Sequence, residues 1–136
     1  MTINTFTSLC DDAYKIRLTV FGEEQGFVDE IDSIDFFATH FVVYENNLPV
    51  ATCRIFEKDN KYILGRFAVI KEYRKKGVGK NLLLFVEDFV KSKGYSSLHL
   101  HSQLRAVQFY EKCGYVTYGE IEYEENYPHI WMNKIF

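Results

Sequence analysis

Polar and apolar residues alternate from Thr2 to Ser8, which predicts a short strand. The period then lengthens. Ala13, Ile16 and Val20 fall on one side of a helix that Asp11 or Asp12 can cap and that ends near Gly22. The stretch from Phe27 to Asp35 is acidic and broken by Asp29, Glu30, Asp32 and Asp35, which predicts a loop with a helical turn, placed where it can cover a site. Phe41–Tyr44, Val50–Phe56 and Tyr62–Ile70 are predicted strands, and the Asn46-Asn47 and Asp59-Asn60 pairs between them favour tight antiparallel turns. From Val78 the pattern becomes helical, with Leu82, Phe85, Val86, Phe89 and Val90 on one stripe and Glu87 and Lys91 as an i, i+4 pair on the wet side. Gly94 ends that helix. Ser96–Ser102 alternates again, Leu98 and Leu100 on one face and His99 and His101 on the other, so the unit is strand, crossover helix, strand. Ala106, Phe109, Tyr110 and Cys113 mark a short helix closed by Gly114, and two strands follow at about 115–123 and 129–135. The order predicts a mixed α/β sheet, antiparallel in its first half, with a parallel pair in the middle.

Nothing in the 136 residues reads as a linker or a repeat, so residues 1–136 are expected to form one domain. No uncharged stretch approaches the roughly twenty apolar positions of a spanning helix, and the amino terminus carries no secretory pattern. A cytoplasmic location is expected, and no membrane partner. Cys10, Cys53 and Cys113 are odd in number and widely spaced, which predicts reduced thiols rather than a disulfide framework. The formal net charge of −3 argues against a nucleic-acid partner held by a general basic field. Locally the balance inverts, because residues 71–80 carry Lys71, Arg74, Lys75, Lys76 and Lys80 against Glu72 alone.

That cationic segment joins a strand to a helix. A helix start presents backbone N–H groups without intrahelical partners and about half a positive charge, which together suit a phosphate. Gly77 and Gly79 offer no side chains to block its approach and allow the turn a positive φ. A Walker loop would need glycine at Arg74 and Ser or Thr at Asn81; a dinucleotide turn would need glycine at Leu82 and an acidic residue near His99. Neither is present. A solvated basic turn is the plain structural alternative.

Arg74-Lys-Lys-Gly77-Val-Gly79 resembles the R/Q-x-x-G-x-G/A signature of the GNAT superfamily of N-acetyltransferases, and it follows a strand, Gly65–Ile70, as that signature does. Ala106-Val-Gln-Phe109-Tyr110-Glu-Lys-Cys-Gly114-Tyr115 is similar to the A-x-x-F-Y-x-x-x-G-F/Y helix of the same family. The resemblance implies the acyl-CoA N-acyltransferase fold with a splayed central strand pair, and acetyl-CoA as co-substrate. Its pyrophosphate would lie on the amides of Lys75, Lys76, Gly77, Val78, Gly79 and Lys80, with Arg74 at the rim. Its pantetheine arm would bond the backbone of Phe67 and Val69, and the Val69 amide would polarise the thioester carbonyl. Gln103 stands where many relatives carry an asparagine that contacts CoA. Tyr110 would protonate the departing sulfur.

The family's usual base, a glutamate on the strand before the turn, has no counterpart in Lys61–Val69. Glu24 and His101 are the candidates, acting directly or through water. His99 and His101 are too few for a zinc set, so no metal is expected. Phe21-Gly-Glu-Glu24-Gln25 resembles an F-x-x-E-Q segment of small bacterial stand-alone members, some of which act on amino sugars or other small amines. It implies an acceptor contact at Glu24 and Gln25, with the acidic loop drawing a cationic amine. Arg54 and Arg66, on adjacent strands, either orient an acceptor's polar groups or pair with that loop. The expected activity is acetyl transfer to a small primary amine, by a monomer or homodimer. The alternatives are a non-catalytic acyl-CoA-binding or partner-binding domain, and a protein or peptide N-acetyltransferase.

Overall fold

The computed structural model describes residues 1–28 and 31–136. Seven strands, β1 (Thr2–Phe6), β2 (Thr39–Glu45), β3 (Leu48–Lys58), β4 (Lys61–Val69), β5 (Ser97–Gln103), β6 (Val116–Glu124) and β7 (Tyr127–Ile135), form one sheet in the order β1-β2-β3-β4-β5-β7-β6. Only β4 and β5 run parallel, joined by the crossover helix α2 (Val78–Ser92). The hairpin turns at Asn46-Asn47, Asp59-Asn60 and Glu125-Asn126 have positive φ at both residues, between 48° and 67°, as two-residue turns matched to strand twist require.

Helix α2 and the short α3 (Val107–Lys112) cover one face of the sheet. Leu82, Val86 and Val90 pack there on Phe41, Ile55, Leu64, Leu98 and Leu100, each contributing on the order of 1.5–3 kcal/mol through removal from water. Helix α1 (Asp11–Arg17) covers the other face, with Ala13 and Ile16 against Val42 and Ala68.

Three local expectations are corrected. The N-cap of α1 is Cys10, in extended conformation, so Asp11 and Asp12 occupy the first turn, and Asp12 accepts a hydrogen bond from the Tyr44 hydroxyl at 2.7 Å. The helix does not stop at Gly22. It widens into a π-helical turn, Leu18–Glu24, in which the Gln25 N–H reaches back five residues to the Val20 carbonyl at 3.1 Å, and it ends at Gly26 with φ 76°. Glu87 does not face water with Lys91. It is buried, accepting from the Tyr115 hydroxyl at 2.8 Å and the Lys134 ammonium at 3.0 Å, because the hydrophobic stripe of α2 is wider than its apolar residues alone.

Candidate active site

The site begins where β4 and β5 part. Their ladder holds only Tyr62–Leu98, Ile63–His99 and Leu64–Leu100. Directly beyond, β4 carries a bulge: its register to β3 slips between the Gly65–Arg54 and Ala68–Thr52 pairs, and Arg66 sits at φ 50°. The bulge turns the end of β4 away from β5. Ile70 donates its N–H to Val50 on β3 at 3.0 Å, so by strand alternation Val69 directs its N–H and C=O to the opposite, opened side. The Val69 carbonyl accepts from Arg74 Nε at 2.9 Å, and the Val69 amide faces the gap. Phe67 lies two residues earlier on the same side.

The cationic turn stands at the end of that gap. Lys75 (φ 61°) and Gly77 (φ 81°) take the left-handed conformation that aims the chain into α2, while Gly79 does not. Gly79 is needed for a different reason. A Cβ there would lie 3.2 Å from Phe109 Cζ, so its absence lets α2 close on α3. Gly77 caps α2 without a side-chain bond, and Asn81 N–H is the donor that returns to the Gly77 carbonyl, at 3.0 Å. The amides of Val78, Gly79 and Lys80 precede that bond and are orphan donors of the helix start. Lys75, Lys76 and Lys80 are not buried beside them, with the Lys76 ammonium 5.5 Å from the Tyr73 ring; Val78 is buried in the core. The turn and open strand edge form a cradle of donors suited to a diphosphate and an amide-bearing chain.

Tyr110 of α3 is buried beside Phe67 of β4, its ring against Phe67, Phe109 and Tyr115 at centroid distances of 5.9, 5.1 and 5.9 Å. Burial pushes its phenol far above the ordinary value of 10.0, so the hydroxyl keeps its proton.

On the α1 side the side chains pair with one another. Both carboxylate oxygens of Glu24 accept from Arg74, at 2.5 and 2.6 Å, and that hydrogen bonding holds the Glu24 carboxyl below its usual range. The structure thus puts Glu24 on the cationic turn, with both oxygens engaged. Gln25 Oε1 accepts from Gln103 Nε2 at 3.0 Å, and Gln103 Oε1 accepts from Arg105 Nε at 2.6 Å, so Gln25 and Gln103 bridge the π-helical turn to the end of β5. Phe27 packs on Tyr127 of β7 at 4.5 Å.

Arg54 does pair with the acidic loop. It is buried, and its Nη1 donates to Asp32 and Asp35, each at 2.7 Å, while Arg17 grips Asp35 from the other side at 2.9 and 3.2 Å. The two guanidiniums hold the Asp35 carboxyl far below the ordinary carboxylate range despite the opposing cost of burial. Arg66, partly exposed, reaches Asp32 at 3.4 Å. Asp32 and Asp35 cap each other across the helical turn Ser33–Phe36. Asp29 and Glu30 lie outside the described residues.

His101 is the first residue of β5 beyond its last pairing with β4. Its Nδ1 lies 2.9 Å from Glu124 and its Nε2 3.1 Å from Glu122, with the ring stacked on Trp131 at 4.8 Å. His99 is turned to Tyr118, 3.0 Å away. The glutamates of β6 and His129 and Trp131 of β7 escaped the sequence reading. The Glu120, Glu122, Glu124 alternation was the available signal, but the pairing that brings it to His101 spans some twenty residues. Among the described residues no group of three or more His, Cys, Asp or Glu is arranged to hold a metal ion, and no helix is long and apolar enough to cross a membrane.

A gap between parallel strands, headed by an uncapped helix start, defines an acyl-CoA transferase architecture. Residues 22–136 match the family of the acetyltransferase (GNAT) domain, and the chain belongs to that family. It is 36% identical over 126 residues to the Bacillus subtilis protein YjcF, named an uncharacterized N-acetyltransferase, covering 90% of each chain. It superposes on a structure from Lactobacillus plantarum, named as an inferred N-acetyltransferase, with TM-score 0.87, 29% identity and 99% of each chain covered. A GNAT family acetyltransferase from Elizabethkingia anophelis, solved with acetyl-CoA bound, shares the fold at TM-score 0.76 and 19% identity, over 99% of this chain and 97% of that one.

Proposed function

We propose that residues 1–136 act as one cytoplasmic acetyltransferase domain that moves an acetyl group from acetyl-CoA to a primary amine of a small molecule, by direct attack within a ternary complex. The observation that carries this reading is the opened edge of β4 beside the orphan amides of α2, with the Tyr110 ring packed on Phe67 of that edge. Acetyl-CoA supplies the activated thioester; its diphosphate fits the amides of residues 75–80 with Lys75, Lys76 and Lys80 at the rim. Phe67 and Val69 would hold the pantetheine amides along the open strand edge. The Val69 amide then hydrogen-bonds the thioester oxygen as charge develops on it, an effect that can contribute about 3 kcal/mol. Tyr110, kept protonated by burial, donates its proton to the sulfur as it departs. A thiol of pKa about 8.5 is a fair leaving group, so a weak acid suffices.

Acceptor choice belongs to the α1 side, where Glu122 and Glu124 are exposed on the β6–β7 hairpin beside the rings of Trp131 and Tyr118. Exposed carboxylates near aromatic rings suit a cationic amine on a ring scaffold, such as an amino sugar. The experiment is release of free thiol from acetyl-CoA across a panel of amino sugars, diamines and lysine peptides. Turnover on small amines supports the reading. Turnover on peptides alone overturns the substrate class, and tight coenzyme binding without turnover on any acceptor overturns the enzyme.

A further inference from the structure

Attack on a thioester needs a neutral amine, whereas alkyl amines with pKa about 10 are protonated near neutrality. Of the two groups in this chain that suit the task by sequence, Glu24 has both oxygens taken by Arg74. His101 is held differently. A carboxylate only accepts, so the 2.9 Å contact with Glu124 places a proton on Nδ1 of the neutral ring and leaves Nε2 as the bare lone pair. Nε2 makes no hydrogen bond but is closed off from solvent, with Glu122 3.1 Å from it outside hydrogen-bonding geometry; an amine reaches Nε2 only when the largely exposed Glu122 side chain swings aside. The ring plane is fixed by Trp131 on one side, at 4.8 Å and 25°, and by His129 at 5.1 Å and 32°. His129 is itself tied through Nδ1 to the Tyr127 carbonyl at 2.9 Å. The titratable groups that face His101 are Glu122 and Glu124 from β6 and His129 from β7. More than half of each glutamate is exposed, and both carboxylates lie against the ring.

We infer that His101 is the proton acceptor for the attacking amine and that Glu124 is its positioning residue, an assignment that rests on the acetyltransferase reading above. The acceptor's ammonium gives one proton to Nε2 of His101. The electron pair thus freed forms the C–N bond, and the C–S pair leaves with sulfur. Tyr110 protonates the sulfur and regains a proton from the new amide nitrogen. The imidazolium returns its proton to water, so each turnover yields amide, free thiol and one proton. Placement supports this: His101 sits at the fork where β5 leaves β4, on the face opposite Leu100 and the α2 core.

The test is the pH dependence of kcat/KM for wild type, His101→Gln and Glu124→Gln on the best amine of the panel, with circular dichroism and acetyl-CoA affinity as controls. His101→Gln should lose roughly 100-fold or more at neutral pH and lose the acid limb of the profile, with acetyl-CoA affinity unchanged. Glu124→Gln should lose less and displace the acid limb. Nitrogen-15 spectra of the imidazoles, read without substrate, should show His101 protonated on Nδ1 when neutral, and a mixed tautomer in Glu124→Gln. Full activity with an intact acid limb in folded His101→Gln overturns the assignment while leaving the acetyltransferase reading in place, as does an Nε2-protonated neutral ring in wild type. Absence of thiol release from wild type with every amine sinks both.

Discussion

On the α2 side of the gap the polar groups are main-chain amides of the turn into α2 and the bared edge of β4. On the α1 side they are side chains from four separate segments, Glu24–Gln25, Asp32–Asp35, His101–Gln103 and Glu122–Trp131, most of them paired with one another. The first kind of site depends on backbone conformation, so a few glycines and one bulge define it, and its surrounding lysines can vary. The second depends on pairs formed across long loops, so each residue's role follows from its partner. Glu24 illustrates this, since a carboxylate at the end of the π-helical turn is drawn to the cationic turn by Arg74.

Substitutions can break that contrast. The largest effect on stability is expected from Arg54→Leu, which strands Asp35 and Asp32 beside one remaining buried guanidinium and should cost about 3 kcal/mol in urea unfolding. An unchanged midpoint with a raised acceptor KM would return Arg54 to the acceptor pocket. Tyr110→Phe should lower kcat by roughly 100-fold with little change in acetyl-CoA affinity, and equal turnover would remove its acid role. Gly77→Val forces a branched side chain to φ 81° and should weaken acetyl-CoA binding by roughly tenfold or more, measured by calorimetry. Glu24→Gln should change the acetyl-CoA KM a few-fold and leave kcat nearly intact, because its partner is Arg74; a large fall in kcat would make it the base instead.

Acid should act through the buried pairs. Burial lowers the His40 imidazole below 6.5, and the guanidiniums lower Asp35 below 3.8. In both cases the unfolded chain binds protons that the folded one refuses. Stability is therefore full above 6.5, declines through His40 as pH falls below that value, and declines again through Asp35 below 3.8. Unfolding midpoints across this range should show both steps, the first absent in His40→Gln.

The sheet was legible because its signals are local: asparagine pairs at the hairpins, a stripe from Leu82 to Val90, glycines at 94 and 114. The cationic turn into α2 was legible for the same reason, as six consecutive residues fix it. Glu87 misled because helical spacing to Lys91 is visible in sequence and a bond to Tyr115, 28 residues away, is not. The environment of His101 was hidden likewise, since the order β5-β7-β6 inserts the last strand between two earlier ones.

Glu87 also limits how the enzyme can be rebuilt. Through Tyr115, just before β6, and Lys134, near the end of β7, it fastens both ends of the β6–β7 hairpin to the middle of α2. A hairpin grafted from a relative to alter acceptor choice would have to bring compatible residues at 115 and 134, or leave an unpaired charge inside the crossover helix. The hairpin and the crossover helix are thus transplanted together.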